Sequence, residues 1–182
     1  MEQLLALDRN ILLFLQEHVR QEWLNPIVLF ITKLGNAGWF WLVLMGVLCC
    51  IAKYRKVGMT GLVALLIGFL ITNVALKNSV ARIRPYEVVD GLVLLGNKAM
   101  DWSFPSGHST CSMAAGIVLL KKMPKQFGIP FFILGIVICF TRLYIGIHYP
   151  TDVLGGIIIG TFSAFAALYI MKRRENKKAN QI

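Results

Sequence analysis

The chain has 182 residues and is 57% hydrophobic, with a mean hydropathy of +0.66, against the roughly 45 to 50% apolar content of soluble domains. Its formal net charge of +10 invites an anionic partner, but the cations do not share a polar face with interleaved aromatic residues, so nucleic acid is not expected. A single membrane domain over residues 1–182 is expected instead, with no internal repeat, low-complexity tract or linker to mark a second domain.

In chain order, the stretch LDRNILLFLQEHV places Leu7, Ile11, Phe14 and Leu15 at helical spacing. This predicts an amphipathic segment within residues 1–22, lying on the bilayer or against the bundle. Glu2 follows Met1 and no basic stretch precedes an apolar core, so no cleavable signal peptide is expected. Six apolar runs follow, at Pro26–Leu34, Trp39–Ala52, Val57–Leu76, Gly107–Leu120, Gly128–Tyr144 and Val153–Met171. A span needs about 20 residues, within a range of about 17 to 25, which the third and sixth runs supply by themselves. The fourth and fifth suffice only if their polar ends, His108 and Arg142, lie near one surface. The first is short enough to be a tilted helix, a re-entrant piece or part of the second. The expected fold is all-α, a polytopic membrane helical bundle of about six helices.

Cys49, Cys50, Cys111 and Cys139 all lie in apolar segments without metal-ligand spacing and are expected as buried thiols. Trp23, Trp39, Trp41 and Trp102 read as interface anchors. Gly156 and Gly160, in GIIIG, would let helices approach closely, within the chain rather than between two copies.

Eleven of the nineteen Lys and Arg residues fall in three clusters. These are Lys53, Arg55 and Lys56; Lys121, Lys122 and Lys125; and Lys172, Arg173, Arg174, Lys177 and Lys178, the last forming a basic tail over residues 172–182. Crossings counted through the last four runs put all three on one side, which the positive-inside tendency makes the cytoplasm. The loop from Lys77 to Ser106 and the turn from Arg142 to Asp152 then face outward, and a separate span at Pro26–Leu34 would make the N-terminus cytoplasmic.

Three polar groups converge on that outer face. In KNSVARIRP, Lys77 and Arg84 are seven residues apart, so they share one face if the helix continues past Leu76, and Pro85 stops it. They read either as a headgroup-contacting basic cluster or as anion ligands. In PSGH, the free N–H groups of a helix start form an anion site, and Gly107 admits a close approach to the backbone; an ordinary capped helix start reads the same way. In TRLYIGIHYPTD, Arg142, His148 and Asp152 interrupt an apolar and aromatic stretch. Ionisable residues at membrane depth are costly and paired, and a helix starting near Pro150 would bring Asp152 to His148. Glu87, Asp90, Lys98 and Asp101 lie in the outer loop, where solvated charges are the default and headgroup choice the alternative.

Taken together, Lys77, Arg84 and Pro85, then Pro105 to His108, then Arg142, His148 and Asp152 form an ordered set. It resembles the three-part signature of the type 2 phosphatidic acid phosphatase family, whose members include membrane lipid phosphatases, undecaprenyl diphosphate phosphatases and, as soluble relatives, vanadium haloperoxidases. The motifs cover Lys77 to Asp152, and the one departure is Thr141, where family members often carry Ser. The resemblance implies that Lys77, Arg84, Ser106, Gly107 and Arg142 bind phosphate, that His148 attacks phosphorus to give a phosphohistidine, that Asp152 orients His148, and that His108 is the acid and then the base. No carboxylate cluster suited to magnesium accompanies them, so no metal and no cofactor is expected. The implied partners are membrane lipids and a lipid phosphate or diphosphate substrate, undecaprenyl diphosphate first. A phosphatidylglycerophosphate or phosphatidic acid phosphatase is the alternative. A non-catalytic lipid-phosphate binder or transporter is disfavoured by the histidine pair, and a haloperoxidase by the lipid-facing helices.

Overall fold

The structure is a computed structural model that describes residues 2–179; the last residues of the expected basic tail, 180–182, lie outside the described residues. Helix α1, Glu2–Phe14, continues as a π-helical turn, Leu15–Val19, and α2, Asn25–Leu34, follows. A 3₁₀ turn, Asn36–Gly38, leads into α3, Trp39–Cys50. Helix α4, Arg55–Phe69, runs through a π-helical segment, Leu70–Leu76, into α5, Lys77–Val80. The short α6, Pro85–Val88, opens a loop that ends at α7, Gly107–Lys122; α8, Lys125–Tyr144, and α9, Pro150–Ala179, complete the order. No strand occurs among the described residues.

Helix α7 forms the axis of the bundle. Its small residues, Ser109, Thr110, Ser112, Ala114, Ala115 and Gly116, are all buried, because short side chains let the surrounding helices close in on every face. The GIIIG pair packs within the chain as expected. A Cβ on Gly156 would meet the Ser106 carbonyl oxygen at 2.5 Å, and one on Gly160 would meet that of Thr110 at 2.5 Å, so α9 lies directly on the backbone of α7. On the far side, α3 packs on α4 through Met45, Cys49 and Gly58.

Among the described residues, three helical stretches, Arg55–Val88, Lys125–Tyr144 and Pro150–Lys177, are long and apolar enough to cross a membrane. Asn25–Leu34 with Asn36–Cys50, bent by 44°, makes a fourth candidate. The Lys56–Glu175 ion pair, 3.4 Å, joins two of the basic clusters at one end of the bundle.

Two expectations need correction, the place of Trp41 and the burial of the cysteines. The run Pro26–Leu34, open between a tilted helix, a re-entrant piece and part of the second run, forms α2, which breaks from the helical stretch Asn36–Cys50 at 44°. Asn25 is bonded to the Tyr144 hydroxyl and Thr32 to Arg142, Asn36 is bonded to His108, and Gln16 of the turn after α1 is bonded to Gly91. The N-terminal helices therefore lie at the same end as the histidines, opposite the basic clusters. Helix α1 forms over the expected segment, with Asp8 and Leu12 buried and Leu7 and Phe14 pointing outward, so its inward face meets Val89, Leu92 and Tyr149 through Leu12 and Arg82 and Thr151 through Asp8. Trp41 is no interface anchor: it is fully buried, with its indole N–H donating to Ser112 Oγ at 3.0 Å. Of the cysteines only Cys139 is buried; Cys49 and Cys111 are half-buried and Cys50 is exposed, since an apolar side chain on a bundle of this kind can face outward as readily as inward.

Candidate active site

The helix carrying Lys77 stops at Val80. Ala81 turns left-handed at φ 46°, and Arg84 is extended at ψ 149°, the conformation that a following proline favours. Lys77 and Arg84 therefore do not share a helical face, contrary to the expectation from their spacing. A third residue brings them together: the Asp101 carboxylate pairs with the Lys77 ammonium and accepts from Arg84 Nη2 at 2.6 Å. Arg84 is tied further by Nε donating to the Asp101 carbonyl at 2.8 Å and Nη1 to the Ile147 carbonyl at 2.9 Å.

Ser106 caps α7. Its Oγ accepts from the Ser109 N–H and hydroxyl and its N–H donates to the Asp152 carbonyl at 3.0 Å. The side chain is fully buried and is absent from the cleft lining; of the PSGH residues, Gly107 and His108 reach the cleft. His108 Nε2 lies 3.0 Å from Asn36 Oδ1. Arg142, from the last turn of α8, is 5% exposed; Nη1 donates to Thr32 Oγ1 at 2.6 Å, while its buried Nε has no partner.

His148 sits on the short connection between α8 and α9, with its two ring nitrogens facing different surroundings. Nδ1 lies 3.4 Å from Asp152 Oδ2, and Nε2 lies 3.4 Å from Arg84 Nη1. Asp152 is held from three directions: Oδ2 accepts from Ser103 Oγ at 2.5 Å and from the Tyr149 N–H at 2.9 Å, and Oδ1 accepts from Arg82 Nη1 at 2.6 Å. Burial, with Arg142 and Arg84 adding to it and Asp152 opposing, brings the His148 imidazole down to about 4, so the ring is neutral at pH 7. Burial raises the Asp101 carboxyl, but Lys77 and Arg84 outweigh it and hold the group below the usual carboxylate range.

Lys77, Arg84, Gly107, His108, Arg142 and His148 all line one cleft of about 240 Å³, with Asp101 and Asn73; Gly38, Phe69 and Cys111 supply apolar wall. Among the described residues no group of three His, Cys, Asp or Glu side chains is placed to hold a metal ion.

The residues behind the cleft are not among the candidates of the three sequence motifs. Arg82 donates to Asp152 and to Asp8, and stacks 3.9 Å from the Tyr149 ring centre. Ser103 holds Asp152; Asp101, expected as an outer-loop charge, instead joins two cations within the cleft lining. Only Asp8 carried a signal, a carboxylate among apolar residues of a helix, and its partners lie more than seventy positions away.

A model of the PAP2 superfamily matches residues 58–176. The chain belongs to this superfamily. Among PAP2 relatives, an undecaprenyl-diphosphatase of Sulfolobus acidocaldarius is 30% identical over 87% of this chain and 76% of that one. An undecaprenyl-diphosphatase of Bacillus subtilis is 34% identical over 78% and 72%, and phosphatidylglycerophosphatase B of the same organism 30% over 81% and 75%. The crystal structure of a transmembrane PAP2 type phosphatidylglycerolphosphate phosphatase from B. subtilis superposes with a TM-score of 0.77 at 26% identity, covering 95% of this chain and 88% of that one. Aquifex aeolicus LpxE, at 23% identity, has the same fold, with a TM-score of 0.77 over 91% and 94%. These PAP2 homologues support a multi-pass membrane lipid phosphatase, a hydrolase acting on phosphate esters.

Proposed function

We propose that the protein removes a phosphate from a lipid diphosphate, with undecaprenyl diphosphate as the leading substrate, through a phosphohistidine at His148 and without a metal ion. The observation that carries the reading is the division of labour between the His148 nitrogens. Nδ1 is turned to a carboxylate fixed by Ser103, Arg82 and the Tyr149 N–H, and Nε2 is turned to Arg84 at the cleft. A neutral ring so oriented offers its Nε2 lone pair to phosphorus.

As Nε2 bonds to phosphorus, the bond to the leaving oxygen breaks and His108 gives that oxygen a proton. His108 then takes a proton from water, which attacks the phosphohistidine, releases inorganic phosphate and restores His148. Lys77, Arg84 and Arg142 spread the charge that develops on the phosphoryl oxygens, and the unpartnered Arg142 Nε supplies a donor with no competing acceptor. The Gly107 backbone at the start of α7 adds positive potential from the helix dipole. Ser106, given its buried cap, acts by fixing that helix start.

The site would face away from the cytoplasm, as the basic clusters at the opposite end suggest. The solved B. subtilis relative favours phosphatidylglycerophosphate as the second candidate substrate. The deciding experiment measures phosphate release by the purified protein from undecaprenyl diphosphate, phosphatidylglycerophosphate and phosphatidic acid in EDTA, with acid-labile phosphoprotein trapped during turnover. Release only after magnesium is added, or trapping that persists in His148→Ala, would overturn the mechanism. In intact cells, a cysteine placed at Gly96 in a cysteine-free background should react with an impermeant thiol reagent and one at Lys177 should not; the reverse pattern would overturn the orientation.

A further inference from the structure

A second chamber, of about 420 Å³, adjoins the cleft on its α2 side and shares Ala99, His108 and Arg142 with it. Its wall carries Lys33 from α2 and Lys98 from the outer loop, with Asn36 and Asn97 beside them, and no carboxylate. Neither lysine forms an ion pair among the described residues. In the cleft, by contrast, Lys77 and Arg84 are both paired to Asp101. The chamber is thus a region of uncompensated positive charge, and the buried Arg142, whose Nε has no partner, lines both the chamber and the cleft.

We propose that this chamber is a second-phosphate subsite: Lys33 and Lys98 take the inner, lipid-linked phosphate of a diphosphate while the terminal phosphate lies among Lys77, Arg84 and Arg142. The position of His108 supports this. It borders both cavities, and its Nε2 is held toward the chamber by Asn36. A leaving oxygen beside His108 belongs to whatever group lies on the chamber side, and an anion is the group that two free ammonium ions would retain there. When the bridging P–O bond breaks, the inner phosphate leaves with one more negative charge, which Lys33 and Lys98 stabilise together with the proton from His108. Leu29 and Leu95 on the same wall meet the first carbons of the lipid. A monoester with an uncharged headgroup gains nothing from the two lysines, so the subsite favours diphosphates.

The inference rests on the lipid phosphatase reading, and its test separates the two. Imidodiphosphate, which is not hydrolysed at the bridge, and orthophosphate are titrated calorimetrically into the detergent-solubilised full chain, as wild type, Lys33→Ala/Lys98→Ala and Lys33→Arg/Lys98→Arg. An exposed ion pair is worth up to about fivefold, so the double alanine variant should bind imidodiphosphate about 5- to 25-fold more weakly and orthophosphate within about twofold of wild type. The arginine variant should recover most of the loss. In parallel, kcat/KM on farnesyl diphosphate should fall by the same factor while that on farnesyl monophosphate holds. Equal weakening of both anions, or no change in either, overturns the subsite and leaves the phosphatase reading in place. Selective imidodiphosphate binding that depends on the lysines, in a protein that hydrolyses neither prenyl substrate, upholds the subsite and overturns the phosphatase reading.

Discussion

Asp8 is the residue whose removal tests the architecture behind the cleft. Its fully buried carboxylate accepts from Arg82 Nη2 at 2.8 Å, from the Thr151 N–H at 3.0 Å and from the Thr151 hydroxyl at 2.5 Å. Arg82 passes the connection on to Asp152. Asp8→Ala leaves the Thr151 N–H and one arm of Arg82 without acceptors. An unsatisfied buried donor costs about 1 to 3 kcal/mol, and breaking a buried ion pair costs about 3 to 5 kcal/mol. Arg82 keeps Asp152 as a partner, and its side chain is 18% exposed, so water recovers part of the loss and about 2 to 4 kcal/mol remains. For a chain of this length that lowers the melting temperature by about 5 to 15 °C. Asp8→Asn keeps one oxygen acceptor and should lose about half as much. Below the new melting temperature kcat should fall about tenfold with KM unchanged, because Asp8 touches no substrate and acts only by holding Arg82, and hence Asp152, in place. Tryptophan fluorescence melts and phosphate release on the same detergent preparations measure both quantities. A variant that melts within about 1 °C of wild type and keeps its kcat refutes this positioning role of Asp8.

Asp101→Asn removes the negative charge between Lys77 and Arg84; since the Asp101 side chain is 53% exposed, inhibition by orthophosphate should tighten by about two- to fivefold. Weaker inhibition would mean that Asp101 orders the two cations more than it competes with phosphate. The His148 imidazole should titrate near pH 4 in a nitrogen-15 NMR titration, and a midpoint near 6.5 would remove the claim of a neutral nucleophile. Its folded value lies below the ordinary one, so the unfolded chain binds more protons between them: the stability conferred by the neutral ring is complete above about pH 6.5 and is lost as pH falls toward about 4. Activated aryl phosphates, whose leaving groups need little protonation, should rescue His108→Ala far more than His148→Ala; better rescue of His148→Ala would reverse the two roles.

The residues that line the cleft were legible in the sequence because their chemistry is concentrated in three short motifs, each next to a helix end. Lys77, Arg84, Gly107, His108, Arg142 and His148 do meet there. What holds them was not legible. Lys77 and Arg84 meet through Asp101, seventeen residues beyond Arg84, and Asp152 is held through Ser103 and Arg82, 49 and 70 positions away. Hydrophobic periodicity says nothing about such pairs. Periodicity also left Pro26–Leu34 undecided, because an apolar run of that length serves equally well as a span or as a helix laid across the end of a bundle. The interface-anchor reading misplaced Trp41 because an indole bonded to Ser112 satisfies its N–H inside the protein as well as a headgroup would outside.

The seam between α7 and α9 bears on how a mutational scan of this protein would read. Gly156 and Gly160 touch no phosphate ligand, yet a methyl group on Gly156 would press on the Ser106 carbonyl, and one on Gly155 would meet the Phe104 ring at 2.7 Å. Both contacts fall on the segment that positions Gly107 and His108. The added bulk has nowhere to go except by lifting α9 off α7, and that displaces the start of α7 relative to His148 and Asp152, which are carried by the chain entering α9. In a selection scored only by activity, these glycines would tolerate as few replacements as the histidines themselves, though a side chain added there does its damage by thickness alone.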